Sequence, residues 1–257
     1  MRPLVMGVLN VTPDSFSDGG RWYDPGAAVA HGLRLVAEGA DVIDVGGEST
    51  RPGAAPVDEA EERRRVVEVV RELSGHVRVS IDTRKASVAE AAVEAGATLV
   101  NDISASLWRV AAEAGPGVGW VAMHMQGEPL TMQASPAYDD VVGEVRRYLV
   151  ERAAVAREAG VEEVWVDPGI GFGKTLDHNL ALLADLRSLV GTGLPVLIGT
   201  SRKRFIGLLT GGAPVDDRFE GSLTTAVWAM AQGVGMIRVH DVRPTVRAVG
   251  LVAGAAA

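Results

Sequence analysis

Short apolar runs alternate with longer amphipathic stretches along the whole chain. Eight runs rich in β-branched residues predict strands, at residues 5–9, 42–45, 77–81, 98–100, 119–123, 164–166, 195–198 and 236–239. Because most positions within these runs are apolar, we expect parallel strands that helices cover. Right-handed crossovers permit an open doubly wound sheet or a (β/α)₈ TIM barrel. The length of 257 residues favours the α/β barrel.

Helical periodicity and capping signals fall between the predicted strands. Asp24 followed by Pro25 predicts a helix start, and Gly39 predicts its end. Asp58 and Glu61 resemble a capping box at the start of a second helix. Apolar residues at helical spacing predict the buried faces of four helices: Val29, Leu33 and Val36; Val66, Val69, Val70 and Leu73; Val141, Val142, Val145 and Leu149; Leu180, Leu183 and Leu189.

The composition narrows the classes of function. Hydrophobic residues make up 47% and no linker divides the chain, so we expect a single domain over residues 1–257. A net charge of −8 without a basic block argues against a nucleic-acid partner. No apolar run is long enough to span a membrane. The absence of Cys and of a charged-then-apolar leader predicts a cytoplasmic location.

Polar side chains follow most of the predicted strands. In a barrel these strand ends meet at the C-terminal rim, where active sites of this fold lie. Capping of a turn or helix explains any one carboxylate equally well, but it does not require charged or amide groups at nearly every strand end. The residues concerned are Asn10, Asp82, Asn101, Asp102, His124, Asp167, Lys203, Arg238 and His240.

Two residues of the last strand suggest an anion site. Arg238 and His240 are two positions apart, so their side chains leave the strand on the same face. The arginine fork suits phosphate oxygens, and the histidine adds a donor. The alternative is a structural pair between Arg238 and Asp241 or Asp44.

The segments around the predicted rim offer further candidates. Lys203 lies in the basic turn 200–204, just before a helix-like stretch, which is either a second anion site or a solvated turn. Residues 11–24 and 46–58 are rich in Gly, Pro, Ser and Asp, and we expect them to be long mobile loops at the rim.

The glycine-rich segment 167–175 superficially suggests a nucleotide-binding loop. Pro168 stands where the phosphate-binding loop requires Gly, and the spacing does not fit the dinucleotide fingerprint. We interpret its glycines as allowing the backbone to approach a flat ligand closely. The five His residues are too scattered to predict a zinc site.

Eight motifs, in order along nearly the whole chain, resemble those of the dihydropteroate synthases. They are MGVLNVTPDSFSDGG at 6–20, DVGGESTRPG at 44–53, SIDT at 80–83, NDI at 101–103, MHMQG at 123–127, DPGIGFGK at 167–174, SRKRF at 201–205 and RVHDV at 238–242. The resemblance implies a barrel that uses Mg²⁺ to condense 6-hydroxymethyl-7,8-dihydropterin diphosphate with p-aminobenzoate, releasing pyrophosphate in folate biosynthesis. It also implies a sulfonamide target and a homodimer that packs through its last helices, including residues 221–230.

The resemblance also assigns roles to individual residues. The pterin ring is expected to contact Asp82, Asn101, Asp167 and Lys203. Asn10 is expected to hold Mg²⁺, and Arg238 with His240 to bind the diphosphate. The two long loops are expected to cover the reacting centre and to form the p-aminobenzoate pocket with Phe16, Asp18, Thr50, Arg51 and Pro52. The expected catalytic residues are Asp18, Lys203, Arg238 and His240.

Two other functions remain open at this point. A barrel that transfers a methyl group from methyltetrahydrofolate to a corrinoid protein resembles this one in its pterin-holding residues. A catalytically silent pterin-binding paralogue is the other. The motifs at residues 10–20, 50–53 and 238–240 argue against both. Compared with the family, we expect the N-terminal hairpin of many relatives to be missing or cut short, and residues 105–108 and Arg204 depart from the family pattern.

Overall fold

In the computed structural model, which describes residues 2–12, 24–49 and 56–255, parallel strands form a continuous eight-stranded sheet. The strands are β1 (Leu4–Asn10), β2 (Val42–Gly46), β3 (Arg78–Asp82), β4 (Leu99–Asp102), β5 (Gly119–Met123), β6 (Val164–Asp167), β7 (Leu197–Ile198) and β8 (Met236–Val239). Their order is β6-β5-β4-β3-β2-β1-β8-β7. A parallel bridge between Val166 and Val196 joins the two edges, so the predicted barrel and its strand positions are confirmed.

Helices follow the strands around the outside. Those in the described part of the chain are α1 (Pro25–Ala37), α2 (Glu59–Ser74), α3 (Ala86–Glu94), α4 (Trp108–Ala114), α5 (Val141–Glu158), α6 (Leu176–Ala184), α7 (Leu186–Val190), α8 (Arg204–Leu209), α9 (Phe219–Ala231) and α10 (Val242–Ala255). A 3₁₀ turn, Val215–Asp217, precedes α9. No helix among the described residues is long and apolar enough to cross a membrane.

Two buried clusters divide the core. A large one packs strand residues against the helices. A small one takes one residue from each of seven strands: Met6, Val42, Leu99, Val121, Trp165, Leu197 and Met236. Because side chains alternate between the two faces of a strand, this small cluster fills the barrel interior. It lies below the C-terminal ends of the strands, and the next inward-facing position on each strand points into the space above it.

The structure corrects one residue of the predicted buried face of α1. Leu33 is 37% exposed, whereas Ala28, Gly32 and Leu35 are buried. A Cβ added to Gly32 would lie 2.6 Å from a methyl carbon of Leu73 on α2, so the helices approach through this glycine. Val29 and Val36 are partly buried and pack against the core as predicted, but hydrophobic periodicity misses the small residues that form the closest contact.

A second correction concerns the predicted helix through Leu180 and Leu189. The helix breaks at Asp185, giving α6 and α7, and Leu180 is 36% exposed. The break resets the helical phase, so Leu183 and Leu189 are both buried although they lie on separate helices. Leu182 and Leu186 complete this packed face.

The cap of α2 is as predicted, although its reciprocal partner is not. The side chain of Asp58 accepts a hydrogen bond from the Glu61 backbone at 2.9 Å, and all four predicted apolar residues of this helix are buried. The Glu61 carboxylate pairs with Arg64 and Arg65 at 2.7 and 2.8 Å. These two side-chain hydrogen bonds lower the pKa of Glu61 to about 2.

Candidate active site

Most of the predicted pterin-binding residues face the barrel interior, just above its apolar cluster. Asn101, Asp167 and Arg238 each stand two positions after a member of that cluster, so they point to the same side of the sheet. Asp44 stands in the same relation to Val42. Strand ends that are far apart in the sequence therefore meet in one space at the C-terminal side of the barrel.

Arg238 joins two carboxylates at the floor of this space. Its Nε lies 2.6 Å from Asp44 Oδ2, and its Nη2 lies 2.6 Å from Asp82 Oδ2. Asn101 Nδ2 donates to the same oxygen of Asp44 at 3.0 Å. Of the two structural pairs considered for Arg238, the one with Asp44 is present, whereas Asp241 pairs with Arg202 at 2.7 Å.

The two carboxylates keep one buried acceptor each for a ligand. Among the described residues, Asp44 Oδ1 and Asp82 Oδ1 are buried and have no hydrogen-bond partner. Buried polar atoms are nearly always paired, so these oxygens indicate donors that a bound molecule supplies.

The charged groups in this cluster shift one another's pKa values. Burial raises the pKa of Asp82, and the nearby Asp44 charge adds to this, although Arg238 opposes it. Burial by itself would lower the pKa of Arg238, but Asp44 and Asp82 outweigh it and raise the pKa above its ordinary value. Arg238 therefore stays charged, and protonation of the cluster falls on its carboxylates.

Asp167 and Lys203 form a second group in the same space. Asp167 Oδ1 accepts the backbone N–H of Gly169 at 2.7 Å. Burial raises the pKa of Asp167, and the opposing charge of Lys203 limits this. Lys203 donates to the carbonyl of Ile170, and its Nζ lies 4.7 Å from the centre of the Phe172 ring. Burial lowers the pKa of Lys203 to about 8, against the pull of Asp167.

The glycines after β6 serve a purpose that the sequence interpretation did not anticipate. Gly169 has a φ of +66°, and a Cβ there would lie 1.9 Å from the carbonyl oxygen of His124. Gly173 has a φ of +60°, and its Cβ would lie 2.2 Å from the carbonyl oxygen of Gln126. The close approach is therefore to the β5–α5 loop, whereas a Cβ on Gly171 would face Lys203 at 3.4 Å.

His124 and Lys174 support the glycine-rich segment that follows β6. Lys174 Nζ lies 3.0 Å from its Nδ1 and also donates to the carbonyls of His124 and Phe172 at 3.2 and 3.0 Å. Burial, with the Lys174 charge, lowers the pKa of His124 to about 3. Burial lowers the pKa of Lys174 to about 7, although Asp167 opposes this. The neutral ring fixes Lys174, which in turn holds the glycine loop.

The basic turn before α8 does not act as one cluster. Arg202, with a φ of +59°, pairs with Asp241, while Lys203 turns into the barrel and Arg204 is exposed. Of these three cations only Lys203 faces the barrel interior, so the second anion site stays a prediction that concerns Lys203 rather than the whole turn. His240 lies at the rim, where Ser201 Oγ is 2.9 Å from its Nδ1.

Asn10 ends β1 in a position that suits a shared metal ion. Asn10, Gly46, Asp82 and Asn101 are successive partners across four adjacent strands. The described residues contain no group of three or more His, Asp or Glu that converges on a metal. Mg²⁺ commonly keeps several waters and takes phosphate oxygens, so one amide ligand beside a diphosphate fits its chemistry.

Five predicted site residues lie outside the described part of the chain: Phe16, Asp18, Thr50, Arg51 and Pro52. The expectation that both long loops are mobile concerns the same segments, residues 13–23 and 50–55. Sequence reasoning missed the site role of Asp44, which it named only as a structural partner. A carboxylate two positions after Val42 in an otherwise apolar strand was the available signal.

Comparison with known proteins agrees with this geometry. The family model for pterin binding enzymes matches residues 6–240. Dihydropteroate synthase of Escherichia coli (strain K12) is 48% identical over 256 residues, covering 97% of this chain and 90% of that protein. The Yersinia pestis dihydropteroate synthase, solved with a sulfonamide drug complex, has 45% identity and a TM-score of 0.91, covering 99% and 94% of the two chains. The Xanthomonas albilineans enzyme with 4-aminobenzoic acid has 47% identity and a TM-score of 0.92, covering 100% and 94%. This chain therefore belongs to the dihydropteroate synthases, within the pterin-binding enzyme family.

Proposed function

We propose that this chain condenses 6-hydroxymethyl-7,8-dihydropterin diphosphate with p-aminobenzoate, yielding 7,8-dihydropteroate and pyrophosphate. One observation carries the substrate assignment: the described residues leave Asp44 Oδ1 and Asp82 Oδ1 buried and unpaired in the barrel interior. A pterin presents an amino group and a ring N–H along one edge, and carboxylate oxygens accept from such donors.

Two other residues of the pocket supply donors for the acceptor atoms of the ring. Lys203 presents an ammonium, and Asn101 presents an amide that Asp44 already orients at 3.0 Å. A pterin carbonyl and ring nitrogen accept such hydrogen bonds. Asp167, beside Lys203, balances the ammonium charge and completes the set of ring contacts.

The reaction separates a diphosphate from the pterin methylene group. The carbon–oxygen bond breaks with its electron pair on the diphosphate, the amine lone pair of p-aminobenzoate forms the new C–N bond, and the amine proton passes to solvent. On the resemblance of their motif, Arg238 and His240 are proposed to stabilise the charge of the leaving diphosphate, while the strand ends hold the ring in place. No covalent enzyme intermediate is required.

Mg²⁺ is proposed as the metal, held by Asn10 together with diphosphate oxygens. When bound, it supplies charge neutralisation to the leaving group. The p-aminobenzoate pocket is proposed to include Phe16, Asp18 and Thr50–Pro52, on the resemblance of their motifs. The relative from Yersinia pestis supports the further proposal that sulfonamides bind in this pocket.

We also propose a homodimer that packs through α9 and α10. Phe219 and Trp228 on α9 and Leu251 on α10 are apolar and exposed, which supports such an interface. Sedimentation of the chain at about twice the monomer mass would agree with it, and a monomer at micromolar concentration would contradict it. The cytoplasmic location stays a prediction of the sequence.

A pyrophosphate-release assay tests the proposed function. Release is expected with pterin diphosphate, Mg²⁺ and p-aminobenzoate together, and is expected to fall to background without p-aminobenzoate. Release that does not depend on p-aminobenzoate would indicate a hydrolase. Pterin binding without any release would favour the silent paralogue, and methyl transfer from methyltetrahydrofolate would favour the corrinoid-linked enzyme.

A further inference from the structure

A partly buried lysine outside the pterin pocket joins both ends of the second rim loop. Lys85 stands at the N-terminal cap of α3, and its Nζ lies 2.6 Å from Glu48 Oε2 and 2.7 Å from the carbonyl oxygen of Val57. It also pairs with Glu62 on α2. The three charged side chains are 14%, 9% and 1% exposed, so the network is largely shielded from water.

Glu48 and Val57 lie on either side of the segment that carries Thr50, Arg51 and Pro52 in the sequence. Glu48 follows the end of β2 by two residues, and Val57 precedes α2 by two. Glu48 Oε2 also accepts the backbone N–H of Val57 at 2.8 Å. The ammonium and the carboxylate together bond the backbone donor and acceptor of Val57, which fixes one loop end against the other.

The same network continues to the pterin pocket. Glu62 Oε1 accepts from Thr83 Oγ1 at 2.8 Å, and Thr83 directly follows Asp82 at the end of β3. Thr83 Oγ1 also accepts the backbone N–H of Lys85 at 3.2 Å. The loop ends are therefore held relative to a strand end that carries a ring contact.

We propose that Lys85 is a positioning residue for p-aminobenzoate: it joins Glu48 to Val57, the described residues on either side of the segment that is proposed to contribute to the p-aminobenzoate pocket. This inference rests on the proposed function. Lys85 touches neither substrate in this scheme and acts only through the loop ends. Misplacement of a substrate-holding group by about 1 Å is enough to reduce catalysis strongly.

We call the contacts of Lys85 with Glu48, Glu62 and Val57 the clamp, and the charges of these side chains favour its persistence. Burial lowers the pKa of Lys85, but the hydrogen bonds that it donates to Glu48 and Glu62 outweigh this and raise the pKa above its ordinary value. A buried ion network of this kind contributes little net stability compared with apolar residues of similar size. Its value here is geometric, since an apolar side chain cannot bond the Val57 carbonyl.

The test compares Lys85→Met with two other variants. The triple variant K85M/E48Q/E62Q also removes the clamp but leaves no unpaired buried charge, so it remains informative if Lys85→Met folds poorly. Arg78→Met is the matched control. Arg78 stands at the start of β3, the strand whose other end leads to Lys85, and it pairs with Glu163 at 2.6 Å. It removes a partly buried ion pair without touching the loop.

Two readouts separate positioning from general destabilisation. For both clamp variants we expect the KM for p-aminobenzoate to rise about tenfold or more, with the KM for pterin diphosphate within about twofold of wild type. The Val57 amide should exchange with deuterium faster in both, because the side chain at position 48 that accepts its hydrogen bond is no longer held in place. Arg78→Met should leave both readouts at wild-type values.

Several outcomes would overturn the inference. An unchanged KM for p-aminobenzoate in both clamp variants would do so, as would an equal rise in KM for the two substrates. Protection of the Val57 amide that survives loss of Lys85 would show that no clamp exists. A wild-type chain without pyrophosphate release is a different result, because it refutes the proposed function on which this role rests.

Discussion

Replacing Asp44 by Asn tests the charge network at the floor of the pocket. The change is nearly isosteric, but it removes the charge that Arg238 Nε contacts at 2.6 Å and that Asn101 contacts at 3.0 Å. Hydrogen bonds to charged groups contribute about 1.5–3 kcal/mol, so the free energy of unfolding should fall by about that amount. Asp82 retains its own contact with Arg238, which prevents a larger loss.

The same substitution should weaken pterin binding. Asp44 Oδ1 is one of the two buried acceptors without a partner among the described residues, and an amide in its place no longer offers a charged acceptor. A loss of about 1.4 kcal/mol is tenfold in affinity, so we expect a weakening of roughly ten- to a hundredfold. Urea unfolding measures the stability, and calorimetry with hydroxymethylpterin measures the affinity.

The pH dependence of the free energy of unfolding gives a third, independent readout. Because the folded pKa of Asp82 is raised, its contribution to stability is fully present below the unfolded pKa and is lost as pH rises through the folded pKa. The Asp44 charge contributes to that shift, so Asp44→Asn should reduce this loss.

Ser80→Ala is the matched control for Asp44→Asn. Ser80 is the partner of Asp44 on the next strand, and its buried hydroxyl has no partner among the described residues. Its removal should leave stability nearly unchanged. If Asp44→Asn unfolds and binds pterin as Ser80→Ala does, the assignment of Asp44 to the pterin pocket is refuted.

Three further substitutions probe the rest of the site. Asp167→Ala should weaken binding of a pterin without phosphates by about ten- to a hundredfold, and unchanged calorimetric affinity would remove Asp167 from the pocket. Pterin affinity of the wild type should fall as pH rises through about 8, where Lys203 loses its proton; Lys203→Met should bind weakly without that loss, and an identical profile would refute the role. Gly169→Ala should lower the urea midpoint much more than Gly193→Ala, because both have positive φ but only Gly169 meets a backbone oxygen.

The barrel could be predicted from the sequence because its strands are short, apolar and regularly spaced. The periodic signal fails where small residues make the contact, as at Gly32, or where a helix breaks, as at Asp185. In both cases the hydrophobic pattern continues along the sequence. Which side chains face the core depends on contacts with neighbouring elements, and the pattern of one helix does not contain that information.

Strand ends predicted the pocket, but not the partners within it. The motifs singled out five candidate site residues, and the structure brings them to one end of the barrel: Asp82, Asn101, Asp167, Lys203 and Arg238. That Arg238 contacts two carboxylates is set by strand tilt and register, which bring together residues far apart in the chain.

The buried supporting residues were the least predictable. Lys174 and Lys85 are charged residues in sequence contexts that ordinarily indicate an exposed surface. Their burial depends on carbonyl and carboxylate partners contributed by other segments, such as Phe172 and Glu62. Local sequence patterns do not identify such partners, because the partners come from distant segments that only the fold brings together.

The most direct test of the central claim follows the new C–N bond. The chain is incubated with pterin diphosphate, Mg²⁺ and ¹⁵N-labelled p-aminobenzoate, and the products are analysed by mass spectrometry, with Asp167→Ala run in parallel. We expect dihydropteroate that carries the ¹⁵N label, formed in equal amount to pyrophosphate, and a much slower reaction in the variant. Hydroxymethylpterin as the only pterin product, with the labelled p-aminobenzoate recovered intact, would contradict the account.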